Sequence, residues 1–271
     1  MLTAGLVLYH QTFGEISKLL ESILSSDVEK LYIVDNGNDP VLMQEVKRHH
    51  PAVEYILPGR NCGFGAGHNI AMKLALASGC RFHAVINPDI SFEAGTLESI
   101  VRFMTETPAV GLVMPRTLNS DGSIQHNCKL LPTPLDLFAR RFLPEKWTRK
   151  RMFRFTMQNK DFSKVLDVPY LCGCFMVISA EALDQCGLFD ERFFMYPEDI
   201  DLTRRIHRVF RTVYYPGATV IHAHGAASRK SFKMLLIHIV NILKYFNKYG
   251  YVFDAERRRV NRAAMQTGEM E

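Results

Sequence analysis

The segment FDERFFMYPEDIDLTRR places a group of acidic residues at the predicted start of a helix. A carboxylate held at a cleft there, Glu198 or Asp199, could deprotonate a hydroxyl group as a general base. The aromatic residues Phe193 and Phe194 could seat the turn in the core and direct both acids towards the cleft. Acidic residues also favour the first turn of any helix because of its dipole, so ordinary helix capping is the competing interpretation.

A further carboxylate, Asp89, lies in the motif NPD directly after the apolar run Ala84–Ile86. An aspartate at the carboxyl end of a parallel strand points into the crevice where α/β sheets bind ligands. Carboxylate oxygens are the ligands that hard divalent cations prefer. Asn, Pro and Asp are also common turn residues, so on this fragment alone a plain turn is favoured.

Two histidines occur in TVIHAHGAAS: His222 ends a predicted strand and His224 follows two residues later. Histidine is a frequent metal ligand. A single histidine at a strand end is more often structural, and the second histidine changes that balance only modestly.

The segment PGRNCGFGAGHN is rich in glycine and leads into a predicted helix. Glycines let the backbone approach a ligand closely, and free N–H groups at the helix start could bind an anion, with Arg60 adding positive charge. The segment lacks the GK[ST] ending of a P-loop and does not follow the first strand, as a GxGxxG motif does. A phosphate-binding loop and a glycine-rich loop without a ligand both stay open.

Short apolar runs alternate with helical patterns along the first half of the chain. This alternation predicts βαβ units, the α/β class and a mostly parallel central sheet flanked by helices. The predicted strands are Leu6–Tyr9, Leu31–Val34, Val53–Leu57, Ala84–Ile86, Val110–Met114, Val168–Ile178, Thr212–Tyr215 and Thr219–His222. The predicted helices are Gly14–Ser25, Pro40–His49, Ala66–Ala77, Ala94–Thr105, Ala180–Cys186, Asp199–Val209 and Ser231–Lys248. Ligands bind beyond the carboxyl ends of such strands, which points to the loops after Val34, Leu57 and Ile86.

Composition limits the classes of function. Of 271 residues, 33 are Lys or Arg and 28 are Asp or Glu, for a formal net charge of +5. This mild basicity suits an anionic ligand or membrane surface, but it is too weak to predict nucleic-acid binding, and no motif for such binding is present. The six cysteines include no CxxC pair, so reduced thiols in a cytoplasmic compartment are the simplest interpretation. No apolar run reaches spanning length and the start lacks a basic leader, which predicts a protein that is soluble or bound to a membrane surface.

Between about Pro115 and Leu166 the composition shifts to prolines, arginines and aromatic residues, which predicts an insertion over the sheet. Basic residues interleaved with apolar ones, in this insertion and in the helix Ser231–Lys248, suit an interfacial helix on anionic lipid. The competing interpretation packs the apolar side on the sheet and leaves the basic side in water. It is slightly favoured for the helix, and neither interpretation is favoured for the insertion. The tail after Asp254 is highly charged and is expected to fray.

The chain resembles family 2 glycosyltransferases, most closely their bacterial rhamnosyltransferase-like subgroup. The resemblance rests on motifs that occur in the family's order, namely VDNG, NCGFGAGHN, NPD, DGSIQ, CGCFMVIS, GLFDERFFMYPEDIDLTRR and PGATVIHAHGAAS. It extends from Leu6 to about Tyr249 and implies a GT-A fold with a Rossmann-like sheet in a single domain, residues 1–250. The implied parts are a nucleotide-sugar-binding part (1–114), the insertion (115–165), an acceptor and catalytic part (166–250) and a charged tail (251–271).

Several residues take roles in donor binding from this resemblance. The implied nucleotide-sugar-binding residues are Tyr9, Asp35, Arg60, Asn61, Gly63, Asn87 and Asp89. Asp35 in VDNG resembles the aspartate that hydrogen-bonds a pyrimidine base. Asn87 stands where the family's DxD motif has its first acid, a departure that makes it a sugar or ribose contact rather than a strong metal ligand.

Metal binding and catalysis are implied in the same way. Asp89 resembles the last aspartate of the DxD motif, which binds a divalent cation, Mn²⁺ or Mg²⁺, beneath the diphosphate. His222 resembles the histidine that completes the metal site, with His224 as the fallback. Asp199 resembles the catalytic base, with Glu198 beside it.

The resemblance implies an inverting transfer of sugar from a nucleoside diphosphate sugar to a hydroxyl of a glycan or lipid-linked acceptor, in bacterial cell-surface polysaccharide synthesis. The subgroup favours dTDP-L-rhamnose as the donor, but UDP-hexoses use the same frame. A non-catalytic nucleotide-sugar-binding protein is the alternative from another class. A nucleotidyltransferase does not fit, because the position after the first strand reads YHQTFGE. The expected location is the cytoplasm; contact with the inner face of the cell membrane and a homo-oligomer both stay open.

Overall fold

A computed structural model describes residues 1–223 and 232–266. The strands are β1 (Leu2–Leu8), β2 (Val28–Asp35), β3 (Glu54–Ile56), β4 (Phe82–Ile86), β5 (Ile90–Phe92), β6 (Val110–Leu118), β7 (Cys128–Lys129), β8 (Leu166–Asp167), β9 (Tyr170–Leu171), β10 (Phe175–Ser179) and β11 (Arg211–His222). The helices are α1 (Phe13–Leu24), α2 (Pro40–His49), α3 (Phe64–Ala77), α4 (Thr96–Glu106), α5 (Pro134–Phe142), α6 (Glu145–Phe155), α7 (Ala180–Cys186), α8 (Glu198–Ile206), α9 (Phe232–Tyr249) and α10 (Ala255–Gln266).

Local sequence signals explain the first elements. β1 reads LTAGLVL and is buried along almost its whole length, as expected for a strand covered on both faces of a parallel sheet. α1 begins after Thr12, whose backbone N–H donates to Glu15 Oε2 at 2.7 Å in a capping box. α2 begins after Asp39, which caps it by accepting hydrogen bonds from the N–H groups of Val41 and Leu42.

The central sheet of the described residues has nine strands in the order β3-β2-β1-β4-β10-β6-β11-β5, with β8 paired to β11 off this path. Six strands run in one direction, and β5, β8 and β10 run against them. The prediction of an α/β fold with a mostly parallel sheet is therefore confirmed. The carboxyl ends of β1 to β4 lie along one edge, so the loops after β2, β3 and β4 are neighbours.

Two pairings bring distant segments to this edge. β5 pairs antiparallel with β11, and this register sets His222 opposite Ile90, the residue after Asp89. β7 and β9 form a separate two-stranded sheet in which Lys129 lies opposite Tyr170. Both pairings join residues far apart in the chain, and both position polar residues of the candidate active site.

The charged segment after Asp254 forms the packed helix α10, so the expectation that this tail frays is wrong for Ala255–Gln266. α10 buries Arg257, and the residue before α10, Asp254, is also buried. Arg204 Nη1 lies 2.8 Å from Asp254 Oδ2, and the same guanidinium pairs with Glu256. The charges of this segment look solvated in the sequence, but the fold pairs them, as buried charges require.

α9 also differs from the favoured expectation, which left its basic side in water. Lys248 pairs with Asp190 at 2.8 Å and with the fully buried Asp201. Leu236 and Leu243, in contrast, are 54% and 46% exposed. Among the helices of residues 1–223 and 232–266, none combines the length and the apolar character needed to cross a membrane.

Candidate active site

The two acids of the ED motif lie at the start of α8. Glu198 and Asp199 are 3% and 7% exposed. Asp199 Oδ2 accepts hydrogen bonds from the Gly173 N–H at 3.1 Å and the Tyr170 hydroxyl at 3.3 Å, and its Oδ1 accepts one from the Ile200 N–H at 2.8 Å. The carboxylate of Asp199 is therefore held in one orientation by two backbone groups and a phenol.

The surroundings of these two acids raise the pKa of each carboxyl group. Burial raises the pKa of Asp199 to about 7, and the neighbouring Cys172 adds to this effect. Burial and the charge of Asp199 raise the pKa of Glu198 well above its usual range, and Glu198 Oε2 has no hydrogen-bond partner within the described residues. A neutral Glu198 beside an Asp199 that ionises near neutral pH provides a carboxylate suited to general-base chemistry.

The turn before α8 is strained. Tyr196 has a φ of +95°, in the left-handed region that residues with side chains rarely adopt. Such strain persists only where the surrounding structure fixes the backbone, and it is concentrated at functional sites. Here the strained residue lies two positions before Glu198.

Asp89 and His222 form a second polar centre on the same edge of the sheet. His222 Nε2 lies 3.3 Å from Asp89 Oδ1, and the Ala223 N–H donates to the Asp89 carbonyl at 2.9 Å. Burial opposes the charged form of His222, but the hydrogen bond and charge of Asp89 outweigh it and raise the pKa of His222. Pairing of β5 with β11 creates this contact.

Gln125, in the DGSIQ motif, orients His222. Its Nε2 donates to the His222 carbonyl at 2.9 Å, which leaves Gln125 Oε1 to accept from His222 Nδ1 at 3.0 Å. The Nδ1–H donor fixes the tautomer and directs the other ring nitrogen at Asp89, as partners of metal-ligating histidines commonly do. In the sequence, Gln125 is part of the DGSIQ motif, but no role is predicted for it.

The Asp89–His222 pair fits a divalent cation. A carboxylate oxygen and an imidazole nitrogen are both ligands of first-row divalent metals, and His222 Nδ1 is already satisfied by Gln125. No cluster of three or more His, Cys, Asp or Glu donors occurs in the part of the chain that the structure describes. A cation held here would therefore take most of its ligands from a bound diphosphate and water. His224 lies outside the described residues.

The backbone of the CGC segment connects the two polar centres. The Asn87 N–H donates to the Cys174 carbonyl at 2.9 Å, and the next residue back, Gly173, donates its N–H to Asp199. Cys172 lies near enough for its charge to affect the pKa of both Asp199 and His222. The Asp89–His222 pair and Asp199 are thus both close to the CGC segment.

The glycine-rich loop docks on the loop that precedes α8. Gly63 has a φ of +87°, and a Cβ there would lie 2.2 Å from the Phe194 carbonyl oxygen. The Phe64 N–H donates to that same oxygen at 3.1 Å, and Asn61 Oδ1 accepts from the Gly63 N–H at 3.0 Å. Only glycine fits this contact, so Gly63 has a structural reason to be glycine besides any contact with a ligand.

The loop after β2 is tied to the glycine-rich loop by a residue without a predicted role. Asn36 donates from Nδ2 to the Gly63 carbonyl at 3.0 Å and accepts at Oδ1 from the Cys62 N–H at 3.2 Å. Its neighbour Asp35 is 1% exposed and accepts from Gly37, Asp39 and Tyr55. The two loops therefore form one unit.

The remaining predicted donor-site residues differ in how the fold places them. Asn87 has a buried Oδ1 without a hydrogen-bond partner in the described chain, which suits a contact with a ligand hydroxyl. Tyr9 is 52% exposed and packs on His10 with ring centroids 4.1 Å apart. Arg60 is exposed at the rim of the glycine-rich loop.

Lys129 is a residue of this site that sequence reasoning missed. It is 4% exposed, and its Nζ lies 4.8 Å from the centroid of the Tyr170 ring, whose hydroxyl bonds Asp199. The positive charge of Lys129 lowers the pKa of Asp199 and so partly offsets the effects of burial and Cys172. A lysine after an apolar residue gives no sign of this in the sequence.

Comparison with known proteins identifies the family of the chain. The family model described as "Glycosyltransferase like family 2" matches residues 11–236. The N-acetylglucosaminyl-diphospho-decaprenol L-rhamnosyltransferase of Mycobacterium tuberculosis is 27% identical over 236 residues, which cover 83% of this chain and 74% of that protein. Rhamnosyltransferase WbbL of Escherichia coli is 24% identical over 251 residues, covering 89% and 90% of the two chains.

A similar solved structure is that of GalNAc-T7 with UDP, GalNAc and Mn²⁺, with a TM-score of 0.59 and 13% identity. The superposition covers 83% of this chain but less than half of that one, 44%. At this identity the likeness shows the fold alone, which is GT-A. Since the family model matches most of the chain and both relatives named above are rhamnosyltransferases, the chain belongs to glycosyltransferase family 2 and is a rhamnosyltransferase-like glycosyltransferase of the GT-A fold.

Proposed function

We propose that this enzyme transfers L-rhamnose from dTDP-L-rhamnose to a hydroxyl of a glycan or lipid-linked acceptor, with inversion at the anomeric carbon. The reaction would take place in the cytoplasm, at the inner face of the cell membrane, during synthesis of a bacterial cell-surface polysaccharide. The observation that carries the proposal is Asp199, a buried and oriented carboxylate that ionises near neutral pH beside the Asp89–His222 pair. The choice of rhamnose is supported by the names of the relatives.

The proposed chemical step is one displacement. The acceptor oxygen forms a bond to the anomeric carbon while the bond from that carbon to the diphosphate oxygen breaks, and the hydroxyl proton passes to the Asp199 carboxylate. Gly173, Ile200 and Tyr170 orient this carboxylate by their hydrogen bonds. Orientation of a base towards the attacking atom lowers the barrier because the entropy of alignment is lost on folding, before the reaction.

Asp89 and His222 would hold the divalent cation, Mn²⁺ or Mg²⁺. A bound cation supplies charge neutralisation at the diphosphate as it leaves. The imidazole nitrogen favours Mn²⁺ over Mg²⁺, because Mg²⁺ binds oxygen ligands almost exclusively. Asp35, Asn61 and Asn87 would contact the nucleotide and the sugar.

Donor identity is tested by adding each of a panel of nucleotide sugars with Mn²⁺ and measuring the melting temperature and then turnover. A donor that binds the folded state raises Tm by mass action, and dTDP-L-rhamnose is expected to give the largest rise and the fastest transfer. A larger effect with a UDP-hexose would replace rhamnose by that hexose. Binding of donors without hydrolysis or transfer of any of them would indicate a non-catalytic nucleotide-sugar-binding protein.

The cation site is tested separately by Asp89→Ala. Loss of one of two protein ligands is expected to weaken Mn²⁺-dependent nucleotide binding by about ten- to a hundredfold, the size of effect seen at other metal sites. Binding measured in the presence of a chelator should be equal in the variant and the parent protein. Equal Mn²⁺-dependent binding in both proteins would contradict the assignment.

A further inference from the structure

The side of α9 that faces the protein carries the buried rings of Tyr245 and Phe246 together with polar groups that bond to the neighbouring loop. Asn241 Nδ2 donates to the Met195 carbonyl at 3.0 Å, and Lys244 Nζ donates to the Arg192 carbonyl at 2.8 Å. Both acceptors lie in the loop that precedes Glu198 and Asp199. α9 therefore packs directly behind the proposed catalytic acids.

The opposite side of α9 is apolar and exposed. Leu236, Ile239, Val240 and Leu243 are 36% to 54% exposed, at the i, i+3, i+4 and i+7 spacing of a single helix face. After the helix, Tyr251 folds back onto it, since its hydroxyl donates to Asn247 Oδ1 at 2.8 Å.

This apolar face continues into the loop between α9 and α10. Val252 is 62% exposed and Phe253 is 88% exposed. Their backbone is fixed by Arg257, whose Nη2 donates to the Tyr251 and Val252 carbonyls at 3.2 and 3.3 Å. A rigid loop that presents apolar side chains to solvent is uncommon on a surface with no binding role. We call the exposed side of α9 together with Tyr251–Phe253 the C-terminal apolar face.

Positive charge also lies beside this face, on α10. Residues 232–266 contain seven Lys and Arg but only two Asp and Glu. Of the seven, Arg257 is buried, Lys248 is paired with Asp190 and Asp201, and Lys244 donates to the Arg192 carbonyl. Both acids, Asp254 and Glu256, are already paired with arginines. Arg258 lies beside the Phe253 ring, 5.9 Å from its centroid, and Arg259 and Arg262 are exposed on α10.

The geometry points to an anionic phospholipid bilayer as the partner of the C-terminal apolar face, with Val252 and Phe253 inserted at the interface. Apolar side chains with exposed arginines nearby match the acyl boundary and the phosphate groups of such a surface. A second copy of the chain is a poorer match, because a symmetric contact would place this positive surface against itself. The inference rests on the proposed function, because membrane contact is useful if the acceptor is lipid-linked. The contact would then hold Glu198 and Asp199 close to that acceptor.

The test is co-sedimentation of the intact protein with vesicles of phosphatidylcholine alone or mixed with phosphatidylglycerol, at low and high salt. We expect binding to the anionic vesicles that weakens with salt. The double variant Val252→Ser/Phe253→Ser should reduce this binding at least about tenfold, because each side chain loses its transfer from water to lipid. Val41→Ser, which changes an exposed valine on α2, is the matched control and should bind like the parent protein.

Three results would overturn the inference: no binding to anionic vesicles, equal binding by the double variant, or a dimer in solution that the double variant abolishes. Loss of binding on changing Trp147 and Phe153 of α6 instead would assign the contact to the insertion. Two variants distinguish failure of this inference from failure of the proposed function. The double variant should keep transfer to a water-soluble acceptor, whereas Asp199→Asn should bind vesicles normally and lack transfer.

Discussion

The loop after β2 and the start of α8 each bury an aspartate, and the two carboxylates differ in what surrounds them. Asp35 accepts from the Gly37 N–H at 2.8 Å, the Asp39 N–H at 2.9 Å and the Tyr55 hydroxyl at 3.1 Å. All of these donors come from its own loop or from the adjacent strand β3. The hydrogen bonds of Asp35 therefore close its own loop.

Asp199 is also held by backbone N–H groups, but it lies beside a second buried acid. Burial raises its pKa to about 7, whereas the hydrogen bonds from Gly173 and Ile200 lower it. A carboxylate can thus be fixed either to shape a loop or to exchange a proton near neutral pH. At Asp199, burial and the neighbouring Cys172 outweigh the hydrogen bonds that hold the carboxylate.

The largest effect should come from Asp199→Asn. Without a base, turnover is expected to fall by about a thousandfold, while donor affinity stays close to that of the parent protein. Steady-state transfer and nucleotide titration measure the two quantities. Asp184→Asn, an exposed aspartate on α7, serves as the control and should change neither. Near-normal turnover of the Asp199 variant would show that another group is the base.

The converse is expected of Asp35→Asn. An amide nitrogen at Oδ1 or Oδ2 would face the N–H of Gly37 or Asp39, so the loop that meets Gly63 through Asn36 should loosen. Donor Kd should rise by about tenfold, with kcat changed much less, because one lost hydrogen bond to a charged group is worth 1.5 kcal/mol or more. A drop in kcat as large as that of Asp199→Asn would remove the distinction between the two aspartates.

Sequence reasoning located α8 and the ends of β2 and β4 because these depend on local patterns. An acidic cluster before a helical repeat marks the start of α8 within one residue, and the apolar run before NPD marks β4. The mostly parallel sheet follows from the alternation of strands and helices. The grouping of Asp89, Asp199 and His222 in one site did not follow from these patterns and was implied only by the resemblance to family 2 glycosyltransferases.

Contacts between distant segments could not be predicted from local sequence patterns. β5 consists of three residues after a turn motif, and only its pairing with β11 brings Asp89 to His222. Gln125 and Lys129 reach the site through similarly distant partners, His222 and Tyr170. The orientation of α9 was missed because its lysines look solvated until the buried Asp190 and Asp201 are seen opposite Lys248.

A smaller effect should appear in the pH dependence of kcat/KM. Lys129→Met removes a buried positive charge whose influence lowers the pKa of Asp199, so that pKa should rise further. Because the base must be ionised, the acid limb of kcat/KM should move to higher pH, with about a three- to tenfold loss at pH 6.5 and little loss at pH 8.5. Lys129→Arg keeps the charge and should restore the parent profile. An equal loss at every pH would instead indicate a purely structural lysine.

The smallest effect should appear in stability and concerns the acid beside the base. Burial, and then the charge of Asp199, raise the pKa of Glu198 in the fold well above its usual value of 4.5. Above pH 4.5 the unfolded chain ionises this group while the folded chain keeps it protonated, so its contribution opposes folding more strongly as pH rises. Glu198→Gln mimics the neutral acid without titrating. Its Tm relative to the parent should therefore increase between pH 5 and pH 8, by about a few degrees, as measured by calorimetry. A difference in Tm that is constant with pH would mean that folding does not raise the pKa of Glu198.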